Sequence, residues 1–122
     1  MTMVTLTDTH KAVEYFEAKL EFTTGPVELN EMIEKGKSIN IIDVRQEEDY
    51  RKGHIPGAVN LPKKRWDSFE GLSRDRENIV YCYHQQCHLA ANACKFFAEQ
   101  GYPVMELEGG FESWKQRKMA VE

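Results

Sequence analysis

The chain has 122 residues, 41% of them hydrophobic and 30% charged, with a net charge of −4. That length holds one domain with a core of its own, and the composition is that of an ordinary globular protein. The negative charge is spread without long runs, which argues against nucleic acid or an anionic membrane as the partner, and no apolar stretch approaches the roughly twenty residues of a membrane span.

The first residues, Met1-Thr2-Met3-Val4-Thr5, lack the basic and apolar regions of a secretory leader, so a cytoplasmic location is expected. Three cysteines, an odd number, fit a reducing compartment better than a disulfide framework. Asp8 or Thr9 is placed to cap a helix in which Val13, Phe16 and Leu20 recur at helical spacing. Gly25-Pro26 stops one element and opens the next, a short helix over 27–35 that ends at Gly36. Residues 39–44 are apolar at almost every position, as in a parallel strand covered on both faces. A short helix over 47–52, closed by Gly53, and a brief strand over 58–61 follow. Trp66, Phe69 and Leu72 at intervals of three suggest helical turns packed on the core.

The run 78–82 reads as another strand, and 88–100 as a helix with Leu89, Ala93, Phe96 and Phe97 on its buried stripe and Cys94 as a small core residue on the flank. A last strand over 104–107 and a terminal helix opened by Gly109-Gly110 complete the pattern. Strands alternating with helices imply an α/β fold with a parallel sheet and helices on both faces. Reactive groups in such sheets gather at the carboxyl ends of the strands, where Cys82 and the Asp43-Val44-Arg45 turn both lie.

Cys82 is the first candidate for chemistry. It ends a strand and enters a five-residue loop before a helix, and the unpartnered N–H groups of such a loop and first helical turn favour an anion at its centre. A free cysteine titrates near pH 8.5, and such surroundings can lower that value by several units. The plainer reading is a cysteine that finishes a core strand. Zinc is not expected, because Cys82, His84, Cys87 and His88 are too close in the chain for the usual two-pair ligand spacing.

Four blocks in order resemble the single-domain rhodanese, or sulfurtransferase, family: Ile42-Asp43-Val44-Arg45 with Glu48; residues 53–62, Gly-His-Ile-Pro-Gly-Ala-Val-Asn-Leu-Pro; Val80-Tyr81-Cys82; and Leu107-Glu108-Gly109-Gly110-Phe111 with Trp114. The resemblance implies a three-layer fold with about five parallel strands over 25–122, preceded by a helical extension over 1–24. It also implies sulfur chemistry without a metal or organic cofactor. Cys82 attacks the outer sulfur of a small donor such as thiosulfate, holds it as a persulfide and yields it to a thiol acceptor or cyanide. The backbone amides of Tyr83, His84, Gln85, Gln86 and Cys87 are the expected anion cradle.

The loop departs from the family's usual pattern, having neither glycine nor arginine, with Cys87 where the arginine is common. His84, His88 and Arg45 are the candidates to replace that cation, and Gln85 and Gln86 could donate hydrogen bonds to a less charged donor. Asp43 is expected to accept backbone N–H bonds and Arg45 to pair with Glu48 or another carboxylate. His54 is expected to bond backbone, and Gly109 and Gly110 to let the last loop approach the site. Cys87 either resolves an oxidised Cys82 as a disulfide or packs as a small apolar group. Two alternatives in other classes are a noncatalytic binding or redox-sensing module and a cysteine-dependent phosphatase. The phosphatase needs an arginine six residues beyond its nucleophile, where this chain has His88.

Overall fold

A computed structural model describes residues 4–122; Met1 to Met3, part of the stretch read as lacking a leader, lie outside the described residues. Five parallel strands form one sheet in the order β1-β5-β4-β2-β3: β1 Thr23–Thr24, β2 Ile39–Asp43, β3 Val59–Asn60, β4 Glu77–Tyr81 and β5 Val104–Leu107. The helices are α1 Thr9–Phe22, α2 Pro26–Glu34, α3 Glu47–Lys52, α4 Leu89–Glu99 and α5 Gly110–Gln116, with a 3-10 helix at Lys63–Ser68.

Side-chain alternation along the strands divides the core between the two faces of the sheet. Ile79 and Tyr81 of β4 join Ile41, Leu29, Leu107, Phe111 and Trp114 on one face. Val80 and Cys82 join Ile42, Val44, Trp66, Ala93 and Phe97 on the other, under α4. Both tryptophans are buried, and each indole N–H donates to a backbone carbonyl, that of Leu61 for Trp66 at 3.0 Å and that of Ala120 for Trp114 at 2.8 Å.

Three features depart from the sequence reading. Thr23 and Thr24, assigned to a helical extension, form an edge strand in register with Glu106 and Leu107. Two residues paired only through their backbone leave no apolar pattern to read. Helix α1 starts where expected, with Asp8 accepting the His10 and Lys11 N–H groups at 3.0 and 3.2 Å, but none of its residues is buried. Val13 and Phe16 are each 56% exposed and Leu20 is 79% exposed, so the apolar stripe is not covered by this chain. On α4 the buried line is Ala90, Ala93 and Phe97, while Leu89 and Phe96 are only partly buried. Bulk misled the sequence reading there, because the small Ala90 faces the sheet and the larger Leu89 lies to one side.

Candidate active site

The carboxyl ends of β2, β4 and β5 converge on the loop that joins Cys82 to α4. Strand parity carries the Cys82 side chain toward α4, where the residue is 2% exposed. Its thiol donates to the Cys87 carbonyl at 3.5 Å. Burial, and then the Cys87 side chain, push the Cys82 thiol up to about 11, while the N–H groups of Ala90 and Tyr83 act in the opposite direction. The expectation of a thiol with a lowered pKa is therefore corrected. The loop amides do not all face the sulfur, because the Cys87 N–H donates to the His84 carbonyl at 3.1 Å. Desolvation outweighs them.

The loop is tied to α5 and to α3. From α5, the Phe111 N–H donates to the Cys82 carbonyl at 3.0 Å and the Glu112 N–H to the Tyr83 carbonyl at 2.9 Å. The Tyr83 hydroxyl donates to Asp49 at 2.6 Å and accepts the Gln46 N–H at 3.2 Å, which ties the loop to α3. Gln85 accepts the Gly109 N–H at 2.6 Å, so its side-chain oxygen serves the fold. Gln86 and His88 are exposed, and His88 is the N-cap residue of α4.

Gly109 and Gly110 open α5 beside the loop. Both have positive φ, 80° and 60°, and a Cβ on Gly110 would lie 2.8 Å from the His84 nitrogen and the Tyr83 carbonyl carbon and 2.9 Å from the Cys82 oxygen. Only a residue without a side chain lets α5 begin this close to the loop.

Arg45 is 4% exposed and already engaged. Its Nε bonds both Asp43 oxygens at 3.1 Å, its Nη2 bonds Asp43 Oδ2 at 2.8 Å and the Gly53 carbonyl at 2.6 Å, and its guanidinium carbon lies 4.1 Å from the Phe111 ring centre. Burial pulls the Arg45 pKa down, but Asp43 more than compensates, so the net direction is upward. The cation is thus committed to Asp43 and the fold, the second of the two options, a nearby carboxylate, while Glu48 is exposed on α3. Asp43 also accepts the Arg45 N–H at 2.8 Å and the Tyr81 hydroxyl at 2.7 Å. His54 stacks on Tyr50 with ring centres 3.8 Å apart, and its Nδ1 lies 2.9 Å from the Tyr50 carbonyl oxygen.

Besides a cavity of about 490 Å³ along Gln85 and Gln86, two more border the loop. One, of about 390 Å³, is lined by Lys52, Tyr83, His84, Phe111 and Lys115 among others, and the His84 Nδ1 is buried without a hydrogen-bond partner. The other, of about 440 Å³, lies between α1 and the loop and includes Cys87 and His88 in its wall. Cys82, Cys87 and Cys94 are all free thiols. Burial pushes the partly exposed Cys94 up to about 12, in keeping with its reading as a packing residue.

Residues 25–117 match the family model of the rhodanese-like domain. The chain belongs to the rhodanese-like domain family. It is 35% identical over 92 residues to the thiosulfate sulfurtransferase GlpE of Shewanella oneidensis, covering 72% of this chain and 89% of that protein. It is also 33% identical over 85 residues to an HTH-type transcriptional regulator, Rv0324 of Mycobacterium tuberculosis, covering 69% of this chain but only 38% of the regulator. The crystal structure of BH2092 from Bacillus halodurans superposes with a TM-score of 0.84 at 34% identity, over 94% of this chain and 86% of that one. That span is wider than residues 25–122, so the structural likeness takes in part of α1. No helix among the described residues is long and apolar enough to cross a membrane.

Proposed function

We propose that the protein is a sulfurtransferase that carries a sulfane sulfur on Cys82 as a persulfide and delivers it to a thiol. What supports this is the position of Cys82. It follows the central strand of the sheet at its carboxyl end, in the loop that leads to α4, in a chain related to a protein named as a thiosulfate sulfurtransferase. A donor anion is drawn to the cavity whose wall carries Arg45, Lys52 and Lys115 against Asp49 and Glu112, and the loop must shift to admit it to Cys82, which does not line that cavity. Three free thiols suit the reducing cytoplasm as its location.

In the first half-reaction the Cys82 thiolate attacks the outer sulfur of the donor, and sulfite leaves when the donor is thiosulfate. Burial raises the Cys82 pKa to about 11, so the thiolate that attacks is a minor form at pH 7. Loading is therefore expected to accelerate close to tenfold per pH unit between pH 7 and 9, measured by quenched mass spectrometry. A flat profile over that range contradicts a raised pKa. The sign for stability is opposite: the fold favours the neutral thiol, so Cys82 begins to disfavour folding above the ordinary thiol pKa, with the full loss at about pH 11.

The deciding experiment incubates the wild type with thiosulfate or a polysulfide and looks for one added sulfur on Cys82, absent in Cys82→Ser. The neutral, buried thiol also favours a second reading, a noncatalytic module that presents its loop to a protein partner. That reading expects no sulfur adduct with any donor and equal partner binding by wild type and Cys82→Ser.

A further inference from the structure

We propose that Cys87 is a second sulfur-carrying residue, which takes the outer sulfur from Cys82 and presents it to a small neutral or cationic thiol docked between α1 and the 82–88 loop. The inference rests on the persulfide reading of Cys82 and names the acceptor side of the same site.

Three observations lead to it. Cys82 is 2% exposed and lines none of the cavities that border the loop, so the loop must shift to load it, whereas Cys87 on the same loop already faces a cavity that an acceptor can enter from solvent. Cys87 is partly exposed and lines the cavity of about 440 Å³ whose facing wall includes Tyr15 and Phe22 of α1. The two residues touch, the Cys82 thiol donating to the Cys87 carbonyl at 3.5 Å, and the Cys87 side chain ranks second to burial among the influences on that thiol.

The two cavities differ in charge, which separates donor from acceptor. The donor side carries Arg45, Lys52 and Lys115 against Asp49 and Glu112, a formal excess of one positive charge. The Cys87 side carries the carboxylates of Glu106 and Glu108 against a single lysine, Lys19, which already lies 3.8 Å from Glu108. An anionic donor is drawn to the first side and a neutral or ammonium-bearing thiol to the second. A cavity of this volume suits a small molecule.

The transfer balances without an oxidant. The Cys87 thiol gives up its proton and attacks the outer sulfur of the Cys82 persulfide. The sulfur–sulfur bond at Cys82 breaks, its electron pair stays on the Cys82 Sγ, which takes up a proton, and a new sulfur–sulfur bond forms at Cys87. The acceptor thiol repeats the exchange, leaving Cys87 as a thiol and the acceptor as a persulfide.

The test is a single-turnover experiment on the full chain. Wild type, Cys87→Ser and Ala91→Leu are loaded with thiosulfate or polysulfide, then mixed with cysteamine, and persulfides are trapped by alkylation and located by fragmenting the tryptic peptide 77–95. The relay expects label on both Cys82 and Cys87 in the wild type. In Cys87→Ser it expects Cys82 still labelled but transfer to cysteamine slowed at least tenfold. Ala91 lines the acceptor cavity, so Ala91→Leu should raise the KM for cysteamine several-fold with loading of Cys82 unchanged. Cysteamine should also outpace 3-mercaptopropionate. Label confined to Cys82, together with wild-type transfer by Cys87→Ser, overturns the relay alone. A Cys82–Cys87 disulfide with release of sulfide overturns it too, because the inner sulfur was then attacked, and a preference for 3-mercaptopropionate overturns the acceptor class. No adduct on the wild type removes the persulfide reading and the relay together.

Discussion

Gly110→Ala is expected to destabilise the protein by about 3 kcal/mol or more and to slow sulfur loading of Cys82 even at temperatures where the fold persists. Two costs add at this position. A φ of +60° strains any residue with a Cβ, and that Cβ would meet three backbone atoms of the 82–84 segment at 2.8–2.9 Å. Backbone cannot turn aside as a flexible side chain can, so the loop and α5 must part. Parting weakens the two hydrogen bonds from the Phe111 and Glu112 N–H groups that hold the Cys82 and Tyr83 carbonyls. Gly36 supplies the control, because its φ is +64° but nothing lies within 4 Å of its Cβ position. Gly36→Ala therefore carries the backbone strain alone, about 1 kcal/mol. Thermal unfolding of the two variants separates the terms, and equal losses for both would remove the close-approach argument. Loading kinetics on Gly110→Ala then report whether the loop has shifted.

Most of the fold is legible in the sequence because β2 and β4 are apolar at most positions and because glycine and proline punctuate the elements between them. The bounds of α3 and β5 follow from that pattern to the residue. Strand β1 does not, since Thr23 and Thr24 carry no periodicity and owe their place to β5. The fate of the α1 stripe was equally hidden. Helical spacing reports that a face is apolar, and it does not report whether anything covers it.

At the site, the readable features were those set by chain position. The strand-end cysteine, the glycines that admit α5 and the backbone role of His54 all follow from local pattern. The protonation state of Cys82 did not, because it depends on how many loop amides turn inward, and the Cys87 N–H turns to His84 instead. Burial of the sulfur was nonetheless readable, for Cys82 shares strand parity with Val80 and both belong to the core under α4. The partner of Arg45 was readable in the same way. Asp43 and Arg45 are two residues apart at the end of a strand and so point to one side, whereas Glu48 begins on a helix that faces solvent.

That pairing carries the second large prediction. Asp43→Ala is expected to cost about 3–5 kcal/mol, a large part of the stability of an ordinary domain. The reason is not the strength of the ion pair but what its loss leaves behind. Arg45, 4% exposed, keeps its charge among Tyr81, Tyr83 and Phe111 without a counter-ion, and the Tyr81 hydroxyl loses the acceptor at 2.7 Å. Removing both charges together, as Asp43→Leu with Arg45→Met, is expected to cost less than Asp43→Ala alone, since no unpaired charge remains. The Arg51–Glu47 pair shows why distance is a poor guide here. Its atoms are also 2.8 Å apart, but the side chains are 74% and 47% exposed, so water replaces the contact when it is lost. Glu47→Ala is expected to change stability by no more than about 0.5 kcal/mol. Denaturant unfolding of the three variants decides the matter. A loss below 1 kcal/mol for Asp43→Ala, or a double variant no more stable than the single one, would mean that water reaches Arg45 and that β2 does not depend on this pair to hold its end beneath the Cys82 loop.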